Sequence, residues 1–185
     1  MLLAGQKAAV VWGFDPDRQG KVVWQTRIGR GGAGGGIQWG IGYSPADKLV
    51  LAPLGEAGRG AAATGGGLFA IDAATGKNVW TTPAPQGTCA TGQRGCSVAQ
   101  KSPPTVIDGV VFSPSMDGHV RAYELKTGQI IWDYNAAQEY TTVNGIPGRG
   151  GSFAATGATV VDGIVYVNSG YSSMPGNVLL AFSAR

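Results

Sequence analysis

Leu68–Trp80 reads LFAIDAATGKNVW, and Val120–Trp132 reads VRAYELKTGQIIW. The two thirteen-residue stretches share an Ala at 70 and 122, a Thr-Gly at 75–76 and 127–128, and a closing Trp. A looser copy with one extra residue, VWGFDPDRQGKVVW, occupies Val11–Trp24. The closing Trp recurs at 24, 80 and 132, so the spacings are 56 and 52 residues. A period near fifty, with a turn and a Trp at fixed places, marks stacked repeats of short strands.

The turn inside the phrase has a mechanism. The Asp72 carboxylate is placed to accept backbone N–H groups across the turn, Thr75 to support it with its hydroxyl, and Gly76 to supply the positive φ that lets the strands pair. Glu124 stands where Asp72 stood, with Thr127 and Gly128 retained. The small Ala at 70 and 122 leaves room on one strand face, and the Trp indole fills space between neighbouring sheets.

Composition narrows the class. The chain has 185 residues, 43% of them hydrophobic and only 14% charged, with 32 Gly. Five Trp and many Val and Ile argue against disorder, and so much Gly without a three-residue period points to many tight turns. No apolar run approaches the roughly 20 residues needed to span a bilayer. The formal charge of +3 comes from scattered Lys and Arg without a basic run, so no nucleic-acid partner is expected. Met1-Leu2-Leu3-Ala4 leads straight into Gly5-Gln6-Lys7, too short for the apolar region of a signal peptide. Cys89 and Cys96 do not have the spacing of a metal knuckle, and His119 is the single His. They are read either as a local disulfide in an exported protein or as two free thiols.

Short strand signals bounded by turn chemistry run the length of the chain, and no window of eleven or more residues has helical periodicity free of Gly and Pro. Taken four strands to a blade, they give the last two strands of one blade (8–27), a full blade (36–82), a second (104–134) and three strands of another (151–183). That makes an all-β, partial β-propeller of about thirteen strands in one domain, residues 1–185. A closed ring needs four to eight blades, so the expectation is one part of a larger ring.

Three stretches carry a family resemblance. Ala70–Trp80, with its A-x-D-x-x-T-G-K-x-x-W pattern, resembles the Trp-docking repeat of pyrroloquinoline quinone (PQQ) propellers. SPSMDGHVRAYELKTGQIIWDY (113–134) resembles the same repeat in bacterial quinoprotein dehydrogenases. The tail TTVNGIPGRGGSFAATGATVVDGIVYVNSGYSSMPGNVLLAFS (141–183), with GGIQWG (35–40), is similar to the C-terminal blade of polyvinyl-alcohol-dehydrogenase-like quinoproteins. The resemblance implies an eight-bladed ring of which this is the C-terminal portion, a periplasmic or secreted location, PQQ with calcium or another divalent cation in the full-length protein, and an alcohol substrate. It also implies a cytochrome c electron acceptor, and as partners the remaining blades or a second copy of the chain. The chain departs from the pattern in having no CxxCH, hence no haem site of its own, and no vicinal Cys pair. A second class within the same repeat family is a non-catalytic scaffold for protein binding or outer-membrane protein assembly.

PQQ carries carboxylates and a flat ring, so its site needs cations or amide donors and flat apolar surfaces. The starts of the innermost strands are read as GGIQWG, AQKSPP and GRGGSF, which offer Gln38, Trp39, Lys101, Ser102, Arg149, Ser152 and Phe153, with Asn144 just upstream. Trp39 reads either as a stacking surface or as inter-blade packing; Lys101 and Arg149 read either as carboxylate partners or as solvated loop cations. No catalytic base is assigned: Asp108, Asp117 and Asp162 precede Gly in turn signatures, and Glu56 and Glu139 lack a supporting motif. No ligand cluster for calcium is visible. Gly29–Gly34 formally matches GxGxxG, but a strand-like segment follows instead of a helix, so it is not a dinucleotide loop. His119 reads as a lone surface histidine.

Overall fold

A computed structural model describes residues 1–56, 66–86, 88–90, 93–171 and 173–184. Among the described residues there are sixteen strands, one short 3-10 turn (Pro16–Arg18) and no α-helix. Every pairing is between antiparallel neighbours in sequence.

The first sheet holds β1 (Leu2–Gln6), β2 (Val10–Asp15) and β3 (Lys21–Arg27). The second holds β4 (Gly42–Ser44), β5 (Leu49–Leu54), β6 (Gly67–Asp72) and β7 (Asn78–Pro83). The third holds β8 (Thr105–Ile107), β9 (Val110–Pro114), β10 (His119–Glu124) and β11 (Ile130–Asn135). A two-stranded hairpin follows, β12 (Glu139–Thr141) and β13 (Pro147–Arg149). The last sheet holds β14 (Thr159–Val161), β15 (Ile164–Ser169) and β16 (Val178–Ser183). The first strands of successive sheets lie side by side, β4 against β8 and β8 against β14, so the sheets fan out from a shared inner edge. This is the arrangement of propeller blades, and the fold is a partial β-propeller.

The core lies between sheets. Val11, Trp24, Val50 and Ile71 fill the first gap, Leu51, Leu68, Trp80 and Tyr123 the second, and Phe112, Val120, Phe153 and Val167 the third. Each repeat phrase builds one gap. Trp24 Nε1 donates to the Ala73 carbonyl and Trp80 Nε1 to the Leu125 carbonyl, both at 2.9 Å and both buried. Thr26 and Thr82, two residues after each Trp, donate their hydroxyls to the carbonyls of Gly76 and Gly128. Within its own sheet each Trp faces a small residue: Gly13 opposite Trp24, Ala70 opposite Trp80, Ala122 opposite Trp132. A β-bulge follows at the same place in all three pairs, which re-aims the strand beyond the ring.

The turn chemistry is as read. Asp72 Oδ1 accepts from the backbone of Ala74 and Thr75 and from the Thr75 hydroxyl, and Gly76 has φ +72°. These bonds hold the Asp72 carboxyl below its usual range, the Thr75 hydroxyl first among them. The extra residue of the first copy is absorbed in the 3-10 turn, where Gln19 and Gly20 both take positive φ.

Three strands were not legible in the sequence. β1 pairs along its whole length with β2, so the first sheet opens at Leu2 and has three strands where two were expected. Its LLAGQ is too short and too Gly-interrupted to stand out before its partner is known. The hairpin β12–β13 adds the other two. The inner strand of the second sheet is shorter than 36–43, because residues 36–41 bond elsewhere: Ile37 N donates to Gln6 O, and Gly55 N to Gly36 O.

Candidate functional site

In the two four-stranded sheets the entry to the first strand, the link from second to third strand and the end of the fourth lie at one end. The pairings Gly42↔Leu51 and Thr105↔Phe112 put the entries of the second and third sheets in the same register. The bonds Gly55 N→Gly36 O and Met116 N→Ala99 O repeat one contact in the two sheets. Gln38 therefore corresponds to Lys101, and Trp39 to Ser102.

Gln38 and Lys101 both lie against Gly55. A Cβ on Gly55 would stand 3.1 Å from Lys101 Cγ and 3.2 Å from Gln38 Cγ, so the stems of both side chains pack over one glycine. Lys101 is half-buried and has no ion-pair partner among the described residues. Next to it, the Ser102 hydroxyl is wholly buried and is the only buried side-chain polar atom among the described residues without a hydrogen-bond partner. A buried hydroxyl left unpaired costs about 1–3 kcal/mol, so such atoms cluster where another group bonds. Trp39 is 56% exposed, the free indole face at this end of the second sheet.

The remaining candidates lie elsewhere. Arg149 is not at the start of an inner strand but in β13, where Asn177 clamps its backbone: Arg149 N donates to Asn177 Oδ1, and Asn177 N to Arg149 O. Asn144 sits in the β12–β13 turn, its Oδ1 accepting from Ile146 N and from the Thr142 hydroxyl. Ser152 is buried and fully bonded, donating to Tyr171 O and accepting from Met174 N. Arg149 lines two hollows. One, of about 700 Å³, lies beside Glu139 and Asn177; the other, of about 180 Å³, lies beside Arg94 and Met174. Neither includes Lys101 or Trp39.

The acidic residues are mostly engaged. Asp117 is not an exposed turn residue: with Arg121 it forms a buried ion pair, Nη2 to Oδ2 at 2.7 Å. Burial alone would raise the Asp117 pKa, but the Arg121 bonds and charge, with the Ser115 and Thr88 hydroxyls, bring it below the usual range. His119 is likewise no lone surface residue. Its Nδ1 lies 2.6 Å from Asp133 Oδ1, and Asp133 Oδ2 accepts from Arg121 Nε at 3.0 Å. Glu56, at the position in the second sheet corresponding to Asp117, is buried and accepts from Gly31 N at 2.7 Å. The Gly29–Gly34 run is thus a loop packed against its own sheet. Asp117 and Glu56 brace the end of their sheets. No cluster of three potential metal ligands exists among the described residues.

The same end carries a disulfide, Cys89–Cys96, with Cα atoms 5.7 Å apart. Its loop reaches the last sheet, where the Ser173 hydroxyl donates to Gly95 O at 2.8 Å.

Comparison with known proteins decides the family. A model of the PQQ-like repeat, described as outer membrane protein assembly factor BamB, matches residues 7–170. The chain belongs to the PQQ-type propeller family. Two polyvinylalcohol dehydrogenases are similar across 98% of it, one from Pseudomonas sp at 35% identity and one from Sphingopyxis sp. (strain 113P3) at 34%. The chain spans 30% of the length of each. The crystal structure of BamB from Moraxella catarrhalis matches 90% of the chain and 55% of its own at a TM-score of 0.53 and 16% identity, which establishes likeness of fold. Family membership accounts for the Trp repeat.

Proposed function

We propose that this chain is the C-terminal portion of a PQQ-dependent alcohol dehydrogenase of the polyvinyl-alcohol-dehydrogenase type. The observation that carries the reading is 34–35% identity to two polyvinylalcohol dehydrogenases over 98% of the chain. The strand entries supply part of a matching donor set. Lys101 offers an ammonium to a carboxylate, the unpaired Ser102 hydroxyl a hydrogen bond, and Trp39 a flat apolar face. When bound, PQQ supplies the electron sink for alcohol oxidation. The role of this chain is to bind and orient it. Arg149, in β13, offers a second cation from the hairpin rather than from a strand entry. The base that takes the hydroxyl proton and the ligands for calcium come from blades outside this chain, as does any contact with a cytochrome c acceptor. The disulfide suits a periplasmic or secreted location.

Purified full-length protein, loaded with PQQ and Ca²⁺, is expected to reduce an artificial dye with an alcohol such as polyvinyl alcohol, while the 185-residue chain alone gives no turnover. Cofactor binding without turnover on any alcohol overturns the substrate class.

A second reading is a non-catalytic scaffold for protein binding or outer-membrane protein assembly. The description of the matching family model and the engagement of Asp117 and Glu56 in bracing favour it. Absence of PQQ binding in the same preparation selects it.

A further inference from the structure

Glu139 and Arg149 stand directly opposite one another in the β12–β13 hairpin, as do Thr141 and Pro147. All four lie on one exposed face, because residues two apart on a strand share a side. The other face, with Tyr140 and Gly148, is turned inward, and a Cβ on Gly148 would stand 2.5 Å from Val178 Cγ1 of the last sheet. The exposed face lines the hollow of about 700 Å³, and its Arg149 also lines the hollow of about 180 Å³ beside Arg94. Arg149 and Pro175 belong to both, so the two hollows form one furrow from the hairpin to the disulfide loop. Its walls are fixed by long-range bonds. Asn177 holds the Arg149 backbone, Gln93 Nε2 lies 3.3 Å from Met174 Sδ, and the Ser173 hydroxyl donates to Gly95 O.

Among the described residues Glu139, Arg149 and Arg94 enter no ion pair, although Glu139 faces Arg149 across the hairpin. An ionised carboxylate only accepts hydrogen bonds and a guanidinium only donates them, whereas a hydroxyl does both. One ligand hydroxyl can therefore accept from Arg149 and donate to Glu139, and another can bond the Thr141 hydroxyl about 7 Å further along the strand. A single small alcohol does not span that distance. Glu139 disfavours a polyanion, and the two arginines disfavour a polycation. A peptide cannot add as a strand along β13, because Asn177 already occupies that edge. Arg149 N, Arg149 O and Pro147 O all bond Asn177. We infer that the furrow holds a run of hydroxyl-bearing units of a neutral chain. It does so beside the strand entries and not at them, since neither Lys101 nor Trp39 lines it. Taking that chain to be the alcohol that is oxidised rests on the proposed function; the furrow's own chemistry does not.

Equilibrium dialysis of short poly(vinyl alcohol) oligomers against the full-length protein, without PQQ, tests this. Saturable binding that tightens with chain length is expected, weakened about tenfold in Glu139→Ala and about tenfold in Arg94→Ala. Glu139→Gln keeps an acceptor oxygen and should bind more tightly than Glu139→Ala. Both side chains are exposed, so the variants should keep the wild-type Tm. No binding, equal affinity in wild type, Glu139→Ala and Arg94→Ala, or a Glu139→Gln variant no better than Glu139→Ala overturns the inference. So does tighter binding of poly(acrylic acid) of the same length, which would make the furrow an anion site. Tighter binding of an uncharged Gly-Ser peptide would make it a peptide groove and overturn it equally. Because PQQ is left out, failure here leaves the cofactor reading to its own test. An enzyme that oxidises alcohols while these variants bind oligomers as wild type does loses only the furrow.

Discussion

Trp80 and Gly128 fit as knob and socket across the gap between the second and third sheets. The indole N–H bonds the Leu125 carbonyl at 2.9 Å, and the ring leaves no room for a Cβ on Gly128. Gly128→Ala is expected to cost about 2–4 kcal/mol, from positive φ and from overpacking together. Gly109 has the same φ of +74° with nothing within 4 Å, so Gly109→Ala should cost only about 1 kcal/mol. Urea unfolding of the two variants separates the docking contribution from the backbone one; equal losses would show that the indole contact contributes nothing.

Asp117→Asn removes one partner of a buried ion pair and leaves the Arg121 guanidinium with Asp133 alone. A loss of about 3–5 kcal/mol is expected. The Asp117 pKa is lowered in the folded state, so its contribution is present above the unfolded value and fades as pH falls through the folded one. Denaturation midpoints measured from pH 6 to pH 2 should therefore fall more steeply for wild type than for Asp117→Asn.

Tyr123 is buried with its hydroxyl accepting from Gln100 Nε2 at 2.8 Å, and burial pushes its pKa from 10.0 up to about 12. The folded state holds the neutral phenol, so stability is whole below pH 10 and declines as pH rises toward 12, by roughly 3 kcal/mol. Tyr123→Phe should flatten that decline while losing about 1–3 kcal/mol at neutral pH, because the Gln100 amide is left without its acceptor. Denaturant titration between pH 8 and 12 reads both effects.

Reducing Cys89–Cys96, or replacing both with Ser, is expected to cost roughly 2–3 kcal/mol for so short a loop. Because Ser173 bonds Gly95, the loss should also appear as faster amide exchange around residues 173–177, in the last sheet and far along the chain.

The parts of this fold that were legible in the sequence are those whose physics is local. An Asp-x-x-Thr-Gly turn, a small residue and a Trp are written side by side, so the sheets between Val10 and Trp132 could be placed from pattern alone. Strand β1 could not, because five residues containing Gly declare themselves a strand only through β2. Lys101 was reached by asking what precedes an inner strand; Ser102 beside it was not singled out as unpaired, because satisfaction of a hydroxyl is a property of its neighbours. Asp117 read as a turn because Gly118 follows it, and the turn is real. The sequence signal for its pairing was Arg121, four residues on and set among Val120, Ala122 and Tyr123 inside a strand, where a cation needs a buried carboxylate. His119 and Asp133 meet only through the pairing of β10 with β11.

Equilibrium dialysis of PQQ, with calcium, against the full-length protein tests the central claim most directly. Saturable binding near one PQQ per chain, weakened about tenfold by Lys101→Ala through loss of a charge-assisted bond, is the predicted result. Wild-type protein that takes up no PQQ under those conditions would contradict it.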